Sequence, residues 1–121
     1  MAQTRILIVD DEPDILLMLR LTLEAEGFVT ALAADGEKAI ERLDRDDFDV
    51  MLLDVMMPVL DGWGVLERLQ GRDHKPVVIV VSAKTAAHDV ARARELGATE
   101  YVTKPFAVTD LVRLINTSVA G

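Results

Sequence analysis

Three acidic side chains in a row, Asp10-Asp11-Glu12, follow directly on the apolar run Ile6-Leu7-Ile8-Val9, and another, Asp54, follows Val50-Met51-Leu52-Leu53. Ser82-Ala83 closes the run Val77-Val78-Ile79-Val80-Val81, and Lys104-Pro105 follows Tyr101-Val102-Thr103. Carboxylates gathered in one place repel one another, and their pKa values rise as coupled groups unless a cation neutralises them. A hard divalent cation resolves the conflict. Magnesium takes about six oxygens and keeps several waters, which suits two or three carboxylates plus a phosphate oxygen. Each residue alone has a plainer role, since an aspartate after a strand is commonly a turn or helix-entry residue, and a serine or lysine there is ordinary. Only their convergence argues for chemistry.

The elements that must bring them together are legible as a rhythm. Short apolar runs alternate with longer helical patterns, the mark of βαβ units building a parallel sheet. The runs at 6–9, 50–53 and 77–81 are continuous, as strands covered by helices on both faces should be. Val29 to Ala33 is weaker and 101–103 is short, so both belong near the edges of a sheet of roughly five strands. In such a sheet ligands bind beyond the carboxyl ends of the strands, where the acidic group, Ser82 and Lys104 all fall.

Pro13 opens a first helix carrying Ile15, Leu16, Met18, Leu19 and Leu23 before Gly27 ends it. Gly36 to Leu43, Gly62 to Leu69, Thr85 to Leu96 and Val108 to Val119 read as the other helices, with Gly97 a C-terminal stop. The fourth is rich in alanine, with Val90 its one bulky aliphatic before Leu96, so it should bury less apolar area than its neighbours. Trp63 reads as a partly buried ring, Met51, Met56 and Met57 as packing residues, His88 as a solvent-facing helix residue and His74 as a loop residue.

Composition narrows the function classes. A chain of 121 residues that is 50% hydrophobic suits one domain over 1–121. Its 21 acidic against 13 basic residues give a net charge of −8, which argues against direct nucleic-acid binding. Cysteine is absent, so disulfides and thiolate metal sites are excluded. No apolar run reaches membrane-span length, and the expectation is a soluble cytoplasmic protein.

The spaced motifs Ile6 to Glu12, Leu52-Leu53-Asp54-Val55-Met56-Met57-Pro58 with Asp61-Gly62, Val80 to Ala83, Gly97-Ala98 and Tyr101 to Phe106 stand in one order along the chain. In that order the sequence resembles the receiver domains of bacterial two-component response regulators, chemotaxis regulators among them. The resemblance implies a flavodoxin-like, doubly wound α/β fold, a five-stranded parallel sheet of order 2-1-3-4-5 with five helices. It implies a phosphoacceptor switch, not a conventional enzyme, in which Asp54 accepts a phosphoryl group from a histidine kinase or histidine phosphotransferase. Asp11 and Asp54 would ligate magnesium directly, Asp10 through water and Met56 through its main-chain carbonyl, with manganese able to substitute. Lys104, joined to Pro105 by a cis bond, and Ser82 would contact the phosphoryl oxygens.

Ser82 and Tyr101 would form the switch, drawing on the face of the fourth helix, fifth strand and fifth helix. The first-helix side bearing Asp14, Ile15, Met18 and Thr22, with Pro105 and Phe106, would dock the kinase. Family position also places Met56 and Lys84 beside the path of the hydrolytic water, which implies slow self-dephosphorylation. The output would pass to a downstream protein or a fused effector domain, from a monomer or a phosphorylation-dependent dimer. Val90 and Leu114 stand where the winged-helix group of regulators carries basic residues, which argues against that group's dimer. The competing readings are an aspartate-nucleophile phosphatase, a flavodoxin-like cofactor binder and a phosphorylation-independent binding module. The first lacks an Asp-x-Asp after its first strand and the second a phosphate-cradling loop there.

Overall fold

The continuous apolar runs become the interior of a parallel sheet in the computed structural model, which describes residues 3–84 and 86–120. Its strands are β1 (Arg5–Val9), β2 (Val29–Ala33), β3 (Val50–Leu53), β4 (Val77–Ser82) and β5 (Glu100–Thr103), in the order β2-β1-β3-β4-β5. The weaker runs are the edge strands, as the sequence implies. Register does the positioning. Val9 pairs with Leu53, so the next residues, Asp10 and Asp54, leave adjacent strands side by side; Ser82 pairs with Thr103, so Lys104 emerges at the same edge. Backbone bonds extend the ladder one step past the strands, from Asp54 N to Val9 O at 3.0 Å and from Lys104 N to Ser82 O at 2.8 Å.

Alternate strand residues point to opposite faces, and each face has its own core. Leu7, Val9, Met51, Leu53 and Val80 pack against Ala39 and Ile40 of α2 (Gly36–Arg45) and Trp63, Val65, Leu66 and Leu69 of α3 (Gly62–Leu69). Ile6, Ile8, Val50, Leu52, Ile79 and Val81 pack against Leu16, Leu19 and Leu23 of α1 (Pro13–Ala25) and Leu111 and Ile115 of α5 (Val108–Ala120). The central strands are therefore apolar on both sides, each large side chain contributing about 1.5–3 kcal/mol of burial. The fourth helix, α4 (Ala87–Glu95), buries only Asp89 and Ala93. Its poor anchoring follows from its alanines.

Local chemistry fixes the helix ends. Asp35 and Asp61 cap α2 and α3 by accepting from Lys38 N and Gly64 N, each at 2.9 Å. Gly27 (φ +94°) and Gly97 (φ +104°) turn the chain out of α1 and α4, where Phe28 N bonds Leu23 O at 3.1 Å and Ala98 N bonds Ala93 O at 2.9 Å. The second helix runs two residues beyond its expected end, its last turn carrying Arg42 and Arg45, which suit the negative end of the helix dipole. The fourth starts at Ala87, and the expected start at Thr85 lies outside the described residues.

The loop from β3 to α3 is the tightest part of the fold around the acidic edge. Gly62 N donates to Val55 O at 3.0 Å, and a Cβ at Gly62 would lie 2.5 Å from both the Asp54 carbonyl oxygen and the Val55 Cα. Only glycine fits against that backbone. Val59 in the same loop holds φ at +69° and is 81% exposed. A β-branched residue there carries left-handed strain of about 1–2 kcal/mol with no burial in return. Val59→Asn, which suits that conformation, should raise the unfolding free energy by about 1 kcal/mol in urea titrations. An unchanged or lower midpoint would show that the loop carries no such strain.

Candidate functional site

At three strand ends a side-chain oxygen accepts from the backbone two residues on. Asp10 Oδ1 takes Glu12 N at 2.9 Å, Asp54 Oδ1 takes Met56 N at 3.0 Å, and Ser82 Oγ takes Lys84 N at 3.1 Å. These short turns are the plain role that aspartate and serine have in such places. They also aim the remaining oxygens. The Oδ2 atoms of Asp10 and Asp54 both meet Lys104 Nζ, at 2.9 and 3.2 Å, and Glu12 Oε1 lies 3.8 Å from the same ammonium. The bond from Lys104 to Pro105 is cis, as the resemblance implies. The side chains of Asp10, Asp54 and Lys104 are only 5%, 7% and 16% exposed, so the three charges interact with little solvent between them.

Burial pushes the Asp54 carboxyl up from its ordinary range; the Met56 N–H and the Lys104 ammonium pull it part of the way back, and the Asp10 charge adds to the rise. Burial works to lower Lys104, but the Asp10 and Asp54 carboxylates outweigh it, and Lys104 is held above its ordinary value. Carboxylate oxygens of Asp10, Asp11 and Glu12 lie within 4.8 Å of one another. Asp11, Glu12, Asp54, Met56, Ala83 and Lys104 line one open pocket. A cluster of hard oxygen donors, two of them in the same pocket as Asp54, fits a magnesium-like cation. Glu12 joins this group, although only its place in the acidic triplet singles it out along the chain.

Ser82 is fully buried beneath the pocket, and the Tyr101 hydroxyl donates to the Lys84 carbonyl at 2.7 Å. Ser82, Lys84 and Tyr101 thus form one chain of hydrogen bonds from the end of β4 to β5. Burial pushes the Tyr101 phenol up, the neighbouring Ser82 hydroxyl opposes it, and the charges of Asp89 and Asp54 push the same way as burial. Ile15, Met18, Pro105 and Phe106 line a cleft with Glu12, Ala83 and Lys104. Asp14 and Thr22 share the first helix but do not line that cleft, and the Thr22 hydroxyl is turned back onto Met18 O at 2.8 Å.

The packing role read for Met56 is corrected: it is 56% exposed, because its own N–H is held by Asp54 and the chain leaves the sheet at that point. Met51 is fully buried, Met57 packs at the margin of a core, and His88 is exposed as expected. Trp63 is more buried than expected, only 8% exposed, and the Arg92 guanidinium of α4 lies 4.5 Å from its ring centroid. Neither this stack nor the burial of Asp89 has a signal in residue spacing.

The raised Asp54 value has a definite sign for stability. The folded chain holds the Asp54 proton more tightly than the unfolded chain, so Asp54 favours the fold at low pH and loses that contribution as pH rises from its ordinary 3.8 through the native value. Asp54→Asn should therefore gain stability relative to the parent across that window and keep the gain at neutral pH, since Lys104 retains Asp10. Urea unfolding at a series of pH values without divalent cations reads the difference. A difference independent of pH would show that burial does not act on this carboxyl.

The matching family model is that of the response regulator receiver domain, over residues 6–116. Among similar proteins, the transcriptional activator protein IrlR of Burkholderia pseudomallei (strain 1026b) is 42% identical over 89% of this chain and 47% of its own length. The response regulator SaeR of Staphylococcus aureus (strain USA300) is 39% identical over 93% of this chain and 49% of its own. The chain thus spans about half the length of these curated relatives. A Francisella response regulator 1452 receiver domain superposes with a TM-score of 0.92 at 29% identity, covering 98% of each chain. With the acidic strand ends, the buried serine and the bridging lysine all standing in that family's fold, the chain belongs to the response regulator receiver domains of two-component signalling.

Proposed function

We propose that Asp54 is the phosphoacceptor and that the surrounding residues promote transfer of a phosphoryl group onto it from a histidine kinase or phosphotransferase. The observation that carries this reading is the division of labour within one carboxylate: Oδ1 is tied to Met56 N while Oδ2 faces the Lys104 ammonium. One oxygen is held and the other is aimed. Asp54 attacks phosphorus, the bond to the donor nitrogen breaks, and a mixed anhydride forms. Lys104 exchanges its partner carboxylate for a phosphoryl oxygen, and the Ser82 hydroxyl donates to another. Asp11 and Asp54 would hold magnesium or manganese directly, with Asp10 acting through water and the Met56 carbonyl completing the protein ligands. When bound, the cation supplies neutralisation of charge on the phosphoryl oxygens.

The same reading extends outward. Drawing Ser82 toward the new phosphate pulls on the Lys84 loop, to which both the serine oxygen and the Tyr101 hydroxyl are bonded. The α4, β5 and α5 face then signals to a downstream protein or an effector domain, as a monomer or a phosphorylation-dependent dimer. The cleft of Ile15, Met18, Pro105 and Phe106 takes the kinase helix, with Asp14 and Thr22 on the same helix at its margin. Met56 offers no strong acceptor to orient water, which supports a long-lived aspartyl phosphate.

Asp54→Asn should reduce base-labile, magnesium-dependent labelling by acetyl phosphate to background; retained aspartyl labelling would overturn the acceptor assignment. Met56→Asn should hasten loss of the phosphoryl group roughly three- to tenfold, the scale of one added hydrogen bond to the attacking water, about 0.7–1.4 kcal/mol. Single-turnover phosphate release at saturating magnesium measures it. Equal or slower release in the Asn variant would overturn the reading that Met56 prolongs the lifetime.

A further inference from the structure

We propose that the Met56 thioether is a site of reversible oxidation by peroxide, through which oxidant alters the acidic pocket. Among the described methionines, exposure sets it apart. Met51 is fully buried, and Met18 and Met57 are partly buried and packed against the cores, whereas Met56 is 56% exposed. Its position is unusual too. Met56 lines the pocket of Asp11, Glu12, Asp54 and Lys104 and also the neighbouring cleft of Asp11, Asp61, Trp63 and Lys84. Met56 and Asp11 are the residues shared by the two, and the Met56 main chain is tied to Asp54 through the N–H.

The chemistry closes without a further reagent. A sulfur lone pair attacks one oxygen of the peroxide, the O–O bond breaks, and the other oxygen leaves as water after proton transfer. Sulfur is oxidised by two electrons to the sulfoxide and the peroxide is reduced. The product replaces a weak acceptor with a strongly polar S=O group. Because Met56 lines both hollows, the new oxygen stands among residues that include Lys84 in one and Asp54 in the other, where it can order water beside the carboxylate. Disulfide or sulfenate sensing is not open to this chain, which contains no cysteine. Methionine sulfoxide reductases return the thioether, so the change is reversible.

Oxidation at Met56 stands on exposure alone, whereas its effect on phosphoryl lifetime rests on the acceptor reading for Asp54; the experiment separates them. The protein is treated with limiting hydrogen peroxide and digested, and peptide mass spectra locate the first added oxygen, with Met1 read on its own peptide. Trp63 emission, which needs no phosphoryl chemistry, is followed in parallel. The expected result is preferential oxidation of Met56 over Met18, Met51 and Met57, a change in Trp63 emission, and reversal of both by reductase. Acetyl-phosphate-labelled protein should then lose its label several-fold faster after oxidation, and Met56→Leu should make the lifetime insensitive to peroxide. Equal oxidation of Met18 or Met57, or an unchanged Trp63 signal with Met56 oxidised, overturns the proposal. A changed Trp63 signal with Asp54 unlabelled under all conditions overturns the acceptor reading instead, and leaves the oxidation site standing.

Discussion

Two nearly buried carboxylates share a single ammonium at the carboxyl edge of the sheet, and the molecule is arranged to keep them there. Asp10 and Asp54 leave adjacent strands in register, and Lys104 crosses from the far edge to meet both. One positive charge between two negative ones leaves the pocket short of positive charge, the condition under which a hard cation would be drawn to it. Removing the lysine would leave two carboxylates in a place of low dielectric with nothing to pair them, a far larger cost than losing an exposed ion pair. The parallel sheet, the glycine that lets α3 press on the Asp54 backbone, and the two apolar cores are what hold these groups at fixed separation.

The pocket connects unequally to the rest of the fold. Toward α1 and α5 it rests on large aliphatic side chains from both elements, a packing that resists displacement. Toward β5 it is joined by a serine, the Lys84 backbone and a tyrosine hydroxyl, and α4 beside that strand buries little beyond Ala93 and Asp89. Much of what holds α4 to α3 is polar or aromatic, the Arg92 guanidinium over Trp63 and its ion pair with Glu67 at 3.8 Å. A local change in the pocket therefore meets least resistance in one direction. That asymmetry is what a signalling domain needs, since an element with few anchors shifts at small free-energy cost.

Much of this was legible in the residues because the strands are apolar on both faces and the chemistry sits at their ends. Continuous runs at β1, β3 and β4 have no helical reading at that length, and the weak and short runs took the edges. Asp10, Asp54, Ser82 and Lys104 could be placed at one edge from topology alone, without knowing any distance. Met56 could not. Its apolar character suggests packing, and only the turn that ties its N–H to Asp54 carries the side chain out to solvent. The Arg92 stack and the burial of Asp89 depend on how α4 is rotated against its neighbours, which spacing along the chain does not set. The strain at Val59 is equally invisible, because valine is a poor residue for the conformation it occupies.

The two-residue turns at Asp10, Asp54 and Ser82 carry a consequence for how such a pocket varies over time. Each aims its side chain with a bond that spans only three consecutive residues, so the aim travels with a very short piece of chain. Substitution elsewhere in a connecting loop, or lengthening of a helix on the far side of the sheet, leaves that local geometry as it was. The outer surfaces are thereby free to diverge toward new partners while the chemical edge keeps its shape. A lineage can multiply its signalling channels by duplication and surface drift, without rebuilding the pocket in each copy.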